Sequence, residues 1–408
     1  MHIETIELRG HIIDNLTLPK ILEQIEAFGG DYRIEALQLG HLRTDPSHAQ
    51  ICIEAPDAET LNKIVEQVTR AGALISRHIE VSLQPAPRDG VLPDDFYATT
   101  NLLTEIYYRG HWRPVKHTEM DCCIVFDQRS RTARCLRMHR VKKGALVAVG
   151  HTGIRVEPIA KLDTRQGFEF MGSSVSSEKP KLLVIRQVAR WMKEAKTAGR
   201  HVLFVGGPAI VHTGAGPHLE ALIKAGYVDI LFAGNALAAH DIESQMFGTS
   251  LGVSLSSGRP VEHGHEHHLR AINRIRAAGS IKNAVTKGLL CGGIMHTCVK
   301  HKIPFVLSGS IRDDGPLPDV WTDMPQGQDV MRTHIRQVSM AVMVGTTLLS
   351  IAVGNMLPAS VKTVCVDINP AVVTKLADRG TFHALGLVTD AELFLRVLAR
   401  ELGLKVRA

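Results

Sequence analysis

Two groups of residues in this chain have the types and spacing that chemistry requires. Glu119 and Asp121, in the run KHTEMDCC, stand at i and i+2, which in an extended strand puts both carboxylates on one face. Carboxylates held that close repel, and such pairs tend to keep a shared proton, the condition for acid and base work. Lys116 or Arg113, just upstream, offers a cation for an acidic substrate group. A solvated strand face with ordinary ion pairs fits the same spacing, although the apolar CCIVF that follows argues for partial burial. The second group runs from Val338 to Pro370. There Gly345-Thr346-Thr347 joins an apolar run to a helix, a tight turn whose free N–H groups and partial positive charge can receive a phosphate. Asp367 follows the next apolar run, where an acid accepts hydrogen bonds from the ribose of a dinucleotide. The glycine spacing is not G-x-G-x-x-G, and many such units bind nothing.

These residues need a scaffold. Val338 to Val344 and Val361 to Val366 are nearly continuous apolar runs, as strands covered on both faces must be. Upstream, strands at His201 to Val205, Val228 to Phe232 and Pro304 to Leu307 alternate with helices at Pro217 to Ala225, Ala236 to Phe247, Glu266 to Ala278 and Ser280 to Lys302. A helix near Ala371, a strand at Phe382 to Leu387 and an Asp390-capped terminal helix follow. The pattern predicts a doubly wound parallel sheet over 176–408, entered through the small-residue connector Gly172 to Pro180 and a helix from Pro180 to Ala198. Ligands of such sheets bind beyond the carboxyl ends of the strands. That rule nominates GGPAIVHTGAGPH from Gly206, AGNAL from Ala233, SGSIRDDG from Ser308, Gly345 to Leu348, Asp367 and VTD ending at Asp390. Asp390 is also a good helix cap, and His212 would satisfy a loop carbonyl.

The preceding half divides in two. Residues 1–95 read as βαββαβ: strands at His2 to Arg9, Tyr32 to Leu42, Ala49 to Ala55 and Ile79 to Leu83, with helices at Leu18 to Phe28 and Ala58 to Ala71. This is the order of a ferredoxin-like α+β sandwich, a unit that binds amino acids or pairs with copies of itself; packing and oligomerisation is the plainer reading and a ligand site the alternative. Residues 96–175 carry short strands at His117 to Asp127, Thr132 to Arg140, Ala145 to Val149 and Gly153 to Glu157, the density of a small barrel or irregular β-domain.

The 408 residues carry a net charge of +6 dispersed along the chain, which argues against nucleic acid as a partner. No apolar run reaches membrane-spanning length, and the odd number of scattered cysteines, seven, suits buried thiols in the reducing cytoplasm. HGHEHH from His263 spaces His263 and His267 one turn apart but misses the H-E-x-x-H zinc pattern, and no metal is expected.

Taken together, GGPAIVHTGAG, AGNA, SGSIRDDGPLP, MVGTTLLSIAVGNMLP and CVDINP resemble the archaeal-type NAD-dependent ornithine cyclodeaminase family. The N-terminal half, Glu119-Met120-Asp121 included, is similar to the region shared with lysine-ketoglutarate reductase/saccharopine dehydrogenase bifunctional proteins. The resemblance implies an NAD domain of the deoxyhypusine-synthase type and NAD contacts at Asn235, Ala236, Asp314, Gly345, Thr346, Thr347, Leu348, Asp367, Asp390 and Ala391. It implies an ammonia-lyase that turns L-ornithine into L-proline and ammonia with tightly held NAD; a homo-oligomer is expected from the ferredoxin-like unit, which can pair with copies of itself. For that chemistry Glu119 and Asp121 would bind the amine and move protons, and Arg113 or Lys116 would hold the carboxylate. An NAD-dependent transferase of the deoxyhypusine-synthase type and a non-enzymatic NAD and amino-acid sensor are the alternatives.

Overall fold

Apolar residues at every second position of an extended segment face one side, and β1 (His2–Gly10) and β3 (Ser47–Ala55) accordingly bury Ile6 and Leu8, and Ala49, Ile51 and Ile53, in one core. In the computed structural model they pair antiparallel in the order β2-β3-β1-β4, with β2 at Asp31–Gln38 and β4 at Leu74–Ile75. The helices α1 (Thr17–Ala27) and α2 (Ala58–Arg70) press Ile21, Ile25, Ile64 and Val68 onto that face. Asp57 starts α2 by accepting the Thr60 N–H at 2.8 Å. This is the expected ferredoxin-like sandwich, with one correction. Gly72, at φ +102°, turns the chain directly after α2, so the fourth strand forms at Leu74–Ile75 rather than at Ile79 to Leu83.

The structure describes residues 2–10, 12–13, 16–40, 47–75, 79–156, 181–254, 259, 261, 264–313, 315–378 and 384–406. The chain divides into two compact units, Met1–Phe168 with Pro358–Ser360, and Glu169–Leu357 with Val361–Ala408. The first unit also holds a seven-stranded sheet in the order β11-β6-β7-β9-β8-β10-β5. Its strands are β5 (Ser82–Pro85), β6 (Thr104–Tyr108), β7 (His111–Lys116), β8 (Cys123–Asp127), β9 (Thr132–Leu136), β10 (Leu146–Val149) and β11 (Ile154–Val156). Only β8 survives of the strand expected at His117 to Asp127. The six residues before it, 117–122, form a turn in which His117 and Asp121 both sit at φ +61°. Thr99 holds the turn, its hydroxyl donating to Glu119 O at 2.7 Å and accepting from the Cys122 N–H at 3.1 Å. The shared strand face for Glu119 and Asp121 therefore does not exist.

The second unit is built from α3 (Lys181–Thr197), β12 (His201–Gly206), α4 (Ala209–His212), α5 (Gly216–Lys224), β13 (Ile230–Gly234), α6 (Asn235–Phe247) and the short hairpin β14 (Thr249–Ser250) and β15 (Val253–Ser254). There follow α7 (His267–Ala278), α8 (Ile281–Thr286), α9 (Gly293–Lys300), β16 (Phe305–Ser308), β17 (Val320–Trp321) and α10 (Met324–Ile335). The unit ends with β18 (Val338–Val344), α11 (Leu348–Met356), β19 (Lys362–Asp367), α12 (Pro370–Asp378), β20 (Ala384–Val388) and α13 (Ala391–Glu401). Seven strands form one parallel sheet in the order β17-β16-β13-β12-β18-β19-β20. Its strands split their side chains between two cores. Val202, Phe204, Met340, Val342 and Val344 pack beneath α3, α5, α6 and α13, whereas Leu203, Val205, Ala341 and Met343 pack beneath α10, α11 and α12. At about 1.5–3 kcal/mol for each large apolar side chain buried, both faces contribute, which is why the runs show no alternation.

The single helix expected at Ser280 to Lys302 is two, because Gly288 (φ +70°) after α8 and Gly293 (φ +92°) at the first position of α9 take left-handed conformations. The connector Gly172 to Pro180 lies outside the described residues. Asp390 does cap α13, accepting the Glu392 N–H at 2.7 Å and the Leu393 N–H at 3.3 Å. Asp390→Ala should therefore lower stability by about 1 kcal/mol in chemical denaturation.

Candidate functional site

From β12 the chain steps outward through β13, β16 and β17, then returns to the other side of β12 to lay down β18, β19 and β20. The order thus reverses between β12 and β18, and the crevice beyond their carboxyl ends is where such a sheet takes a ligand. Glycines make the crevice possible. A side chain on Gly207 would lie 1.8 Å from Gly345 O, so the two turns meet backbone to backbone. Gly207 N–H donates to Val344 O and Gly345 N–H to Val366 O, each at 2.9 Å, and Gly345 adopts φ +63°.

A cavity of about 840 Å³ opens there. Its wall includes Gly206, Gly207 and Pro208 after β12, Gly234 to Ala236 after β13, Ser308 to Ser310 after β16, and Thr346, Leu348 and Leu349 after β18. Met331, Met356 and Ile272 give it an apolar lining. Helices α4, α6, α10 and α11 begin at this wall, and of these only α10 has a side-chain cap, from Asp323, so the first turns of α6 and α11 are uncapped. Among the other helices both cases occur: α8 and α13 are capped by Ser280 and Asp390, whereas α5, α7 and α9 have no side-chain cap. The first-turn N–H groups of α6 and α11 can therefore receive an anion, as helix N-termini do. The Asn235 side chain is used internally, its Oδ1 accepting the Leu317 N–H at 3.1 Å.

Of the residues nominated from sequence, Asn235, Ala236, Thr346 and Leu348 line the cavity. Gly345 forms the turn behind it and Thr347 is the N-cap of α11. Asp367 stands at the end of β19, half-buried, its carboxylate accepting the Asn369 N–H at 2.9 Å. Asp390 is engaged in its helix cap, and Ala391 is buried in the core beside it. Asp314 lies outside the described residues. His212 does not serve a loop carbonyl, since its Nδ1 meets Ser250 Oγ at 2.7 Å.

Glu119, Asp121, Lys116 and Arg113 belong to the first unit. Glu119 is buried, whereas Asp121 and Lys116 are exposed. Arg113 is half-buried and reaches Arg131 O at 3.5 Å. The neighbouring Cys135 thiol is pushed up to about 11, mainly by burial, with the Glu119 charge adding to it.

Beyond Asn235, sequence reasoning missed the polar side chains of the later turns of α6 at and behind the cavity. His240 lines it, with His212 and His268 close by, and Glu243 lies fully buried behind. Burial alone would raise the Glu243 carboxyl, yet hydrogen bonds from His240, Thr249 and the Gly252 N–H outweigh it and hold the group below its ordinary value. His212 is shifted down by burial and then by the adjacent His240. The available signal was HDIE at 240–243, a run of ionisable residues directly after the apolar ALAA of the same helix.

Three family models cover the chain. Residues 3–102 match the LOR/SDH bifunctional enzyme conserved region. Residues 103–185 match the first C-terminal region of arginine dihydrolase ArgZ-like proteins, and 186–398 match their C-terminal Rossmann-fold region. An ornithine cyclodeaminase of Methanothermobacter thermautotrophicus is 52% identical over 403 residues, covering 98% of both chains. A crystal structure of a conserved putative LOR/SDH protein from Methanococcus maripaludis S2 shares 50% identity at a TM-score of 0.75, over 80% of this chain and 98% of that one. The ternary complex of AgrE with ornithine and NAD⁺ is 41% identical at a TM-score of 0.54, over 98% of this chain and 57% of that one; the bifunctional protein AgrE is from Nostoc sp.. With likeness of this order running from end to end, the chain belongs to the ornithine cyclodeaminase family.

Proposed function

We propose that the protein is an NAD-dependent ornithine cyclodeaminase that converts L-ornithine into L-proline and ammonia. The observation that carries this reading is the full-length identity to ornithine cyclodeaminases, in a chain whose parallel sheet opens a cavity at its point of strand-order reversal. The cavity suits a dinucleotide. The free first turns of α6 and α11 would hold the pyrophosphate, and Gly206 and Gly207 let the backbone approach it. Asp367, one strand over from β18, is the acid for the ribose hydroxyls. When bound, NAD supplies a two-electron acceptor that is restored within each turnover, so the reaction shows no net redox change. The apolar wall of Met331, Met356 and Ile272 excludes water from that chemistry.

An α-amino acid with a second amine needs an anionic partner for an ammonium and a cation for its carboxylate. Glu119 is the proposed anionic partner, with Asp121 beside it in the turn, and Arg113 or Lys116 is the proposed cation. All seven thiols are free and six are buried, which suits a reducing cytoplasm, and we extend the reading to a homo-oligomer there. No helix among the described residues is long and apolar enough to cross a membrane.

Incubation with L-ornithine and NAD⁺ tests the reading: proline and ammonia should form in equal amounts without accumulating NADH. Steady NADH production, or no proline, would overturn it. Glu119→Gln should lower kcat/KM by roughly 100-fold, as loss of a charge partner to substrate does. Unchanged turnover would remove Glu119 from the site.

A further inference from the structure

The α6 wall of the cavity carries a set of groups that the nucleotide contacts proposed above do not include. Glu243 is fully buried and takes part in three hydrogen bonds: Oε2 with His240 Nδ1 at 2.8 Å, and Oε1 with Thr249 Oγ1 at 2.9 Å and the Gly252 N–H at 3.3 Å. A carboxylate only accepts, so the proton of the His240 ring sits on Nδ1. Nε2 keeps its lone pair and makes no hydrogen bond among the described residues, and His240 lines the cavity. An imidazole whose tautomer is set from behind by a buried carboxylate, in a residue that lines a cavity, has the arrangement of a general base.

We propose that His240 is the proton-transferring catalytic residue of this cavity and that Glu243 is its positioning residue, an inference that rests on the ornithine reading above. In the forward step an N–H bond of the substrate ammonium breaks, its electron pair stays on nitrogen, and the proton passes to Nε2. The imidazolium so formed is balanced by the Glu243 carboxylate. When ammonia leaves, the Nε2–H bond breaks in turn and the same proton goes to the departing nitrogen, which restores the imidazole.

The groups that face this ring come from three elements. Glu243 is on its own helix, His212 in α4 meets it edge-on with centroids 4.8 Å apart, and His268 in α7 lies at 6.1 Å. His267, also in α7, bonds Thr249 at 2.8 Å and so reaches Glu243 at one remove. Arg312 and Asp313 stand elsewhere on the cavity wall. Burial, and then His240 itself, shift His212 toward its neutral form, so this nearest ring adds little positive charge beside His240.

The test compares His240→Asn, Glu243→Gln and Glu243→Asp with the wild type. His240→Asn should bind NAD⁺ within about twofold of wild type by calorimetry, yet lose roughly 100-fold or more in kcat together with the acidic limb of the kcat–pH profile. Glu243→Gln should displace that limb, and Glu243→Asp should recover part of the rate. Nitrogen-15 NMR of the imidazole in the ligand-free wild type, a readout independent of turnover, should show the Nδ1–H tautomer. A wild-type profile in His240→Asn, or an Nε2–H tautomer, would overturn the proposal. If His240→Asn does not fold, the tautomer and the Glu243→Gln profile decide. A wild type that forms no proline would overturn the ornithine reading and this inference together, whereas proline formation with an indifferent His240 would overturn the inference alone.

Discussion

Gly207→Ala is expected to abolish NAD⁺ binding. The added methyl would lie 1.8 Å from Gly345 O, 2.6 Å from Gly345 C and 2.9 Å from Thr346 Cβ. Two of those atoms are backbone, so no rotamer change relieves the clash, and the turns after β12 and β18 must separate. Overpacking of this kind costs about 3 kcal/mol. It also removes the alignment of the two turns that form the lip of the cavity. Calorimetry should record no heat on titrating NAD⁺, and denaturation should shift to lower urea. Gly216→Ala is the control, because its methyl would meet only Ile294 Cδ1 at 4.0 Å. A Gly207→Ala protein that binds NAD⁺ as the wild type does would dismiss the crevice as the nucleotide site.

Asp241→Ala is expected to cost the second unit about 2–4 kcal/mol. The Asp241 side chain reaches from α6 to the start of α9, where its two oxygens accept the Ile294 and Met295 N–H groups, each at 2.8 Å. Removing it strands two buried donors, each with a penalty of about 1–3 kcal/mol. Gly293 has no side chain because one would lie 2.7 Å from Asp241 Oδ1. Burial drives the Asp241 carboxyl up to about 7, with the Glu220 charge adding and the two N–H groups opposing. The native state therefore binds this proton more tightly than the unfolded chain does. The stability so gained is complete below the ordinary carboxylate range and is lost as pH rises toward 7. Between pH 5 and pH 8 the wild type should lose about 2 kcal/mol relative to Asp241→Asn in urea unfolding, and parallel curves would refute the shift.

Much of the second unit was legible because parallel strands and their helices have short periods. Val338 to Val344 has the expected bounds, and the helix ending at Phe247 begins within one residue of its expected start. The carboxyl-end rule also brought Asn235, Ala236, Thr346 and Leu348 to one cavity before any contact was known. What escaped depends on contacts distant in sequence. The turn at 117–122 is set by Thr99, twenty or more residues away, which local alternation cannot register. The second β-strand of the hairpin near Thr249, the two-residue β17 and the break between α8 and α9 are too short or too glycine-dependent to stand out. His240 and Glu243 were passed over because three residues along a helix read as an ordinary surface pair, and only burial separates the two cases.

The reversal of strand order also governs when the protein can first form the crevice proposed for the nucleotide. As the chain leaves the ribosome, β12, β13 and β16 can associate early, but the neighbour of β12 on the other side is β18, so that Ser339 meets His201 across 138 residues. Pairings of such separation form late and slowly. Until β18 docks, one lip of the crevice is missing and the inner edge of β12 is an unpaired template for other chains. Nascent chains halted before Val338 should thus be blind to NAD⁺ and prone to aggregate, and nucleotide can stabilise the unit only after synthesis has passed the Gly345 turn.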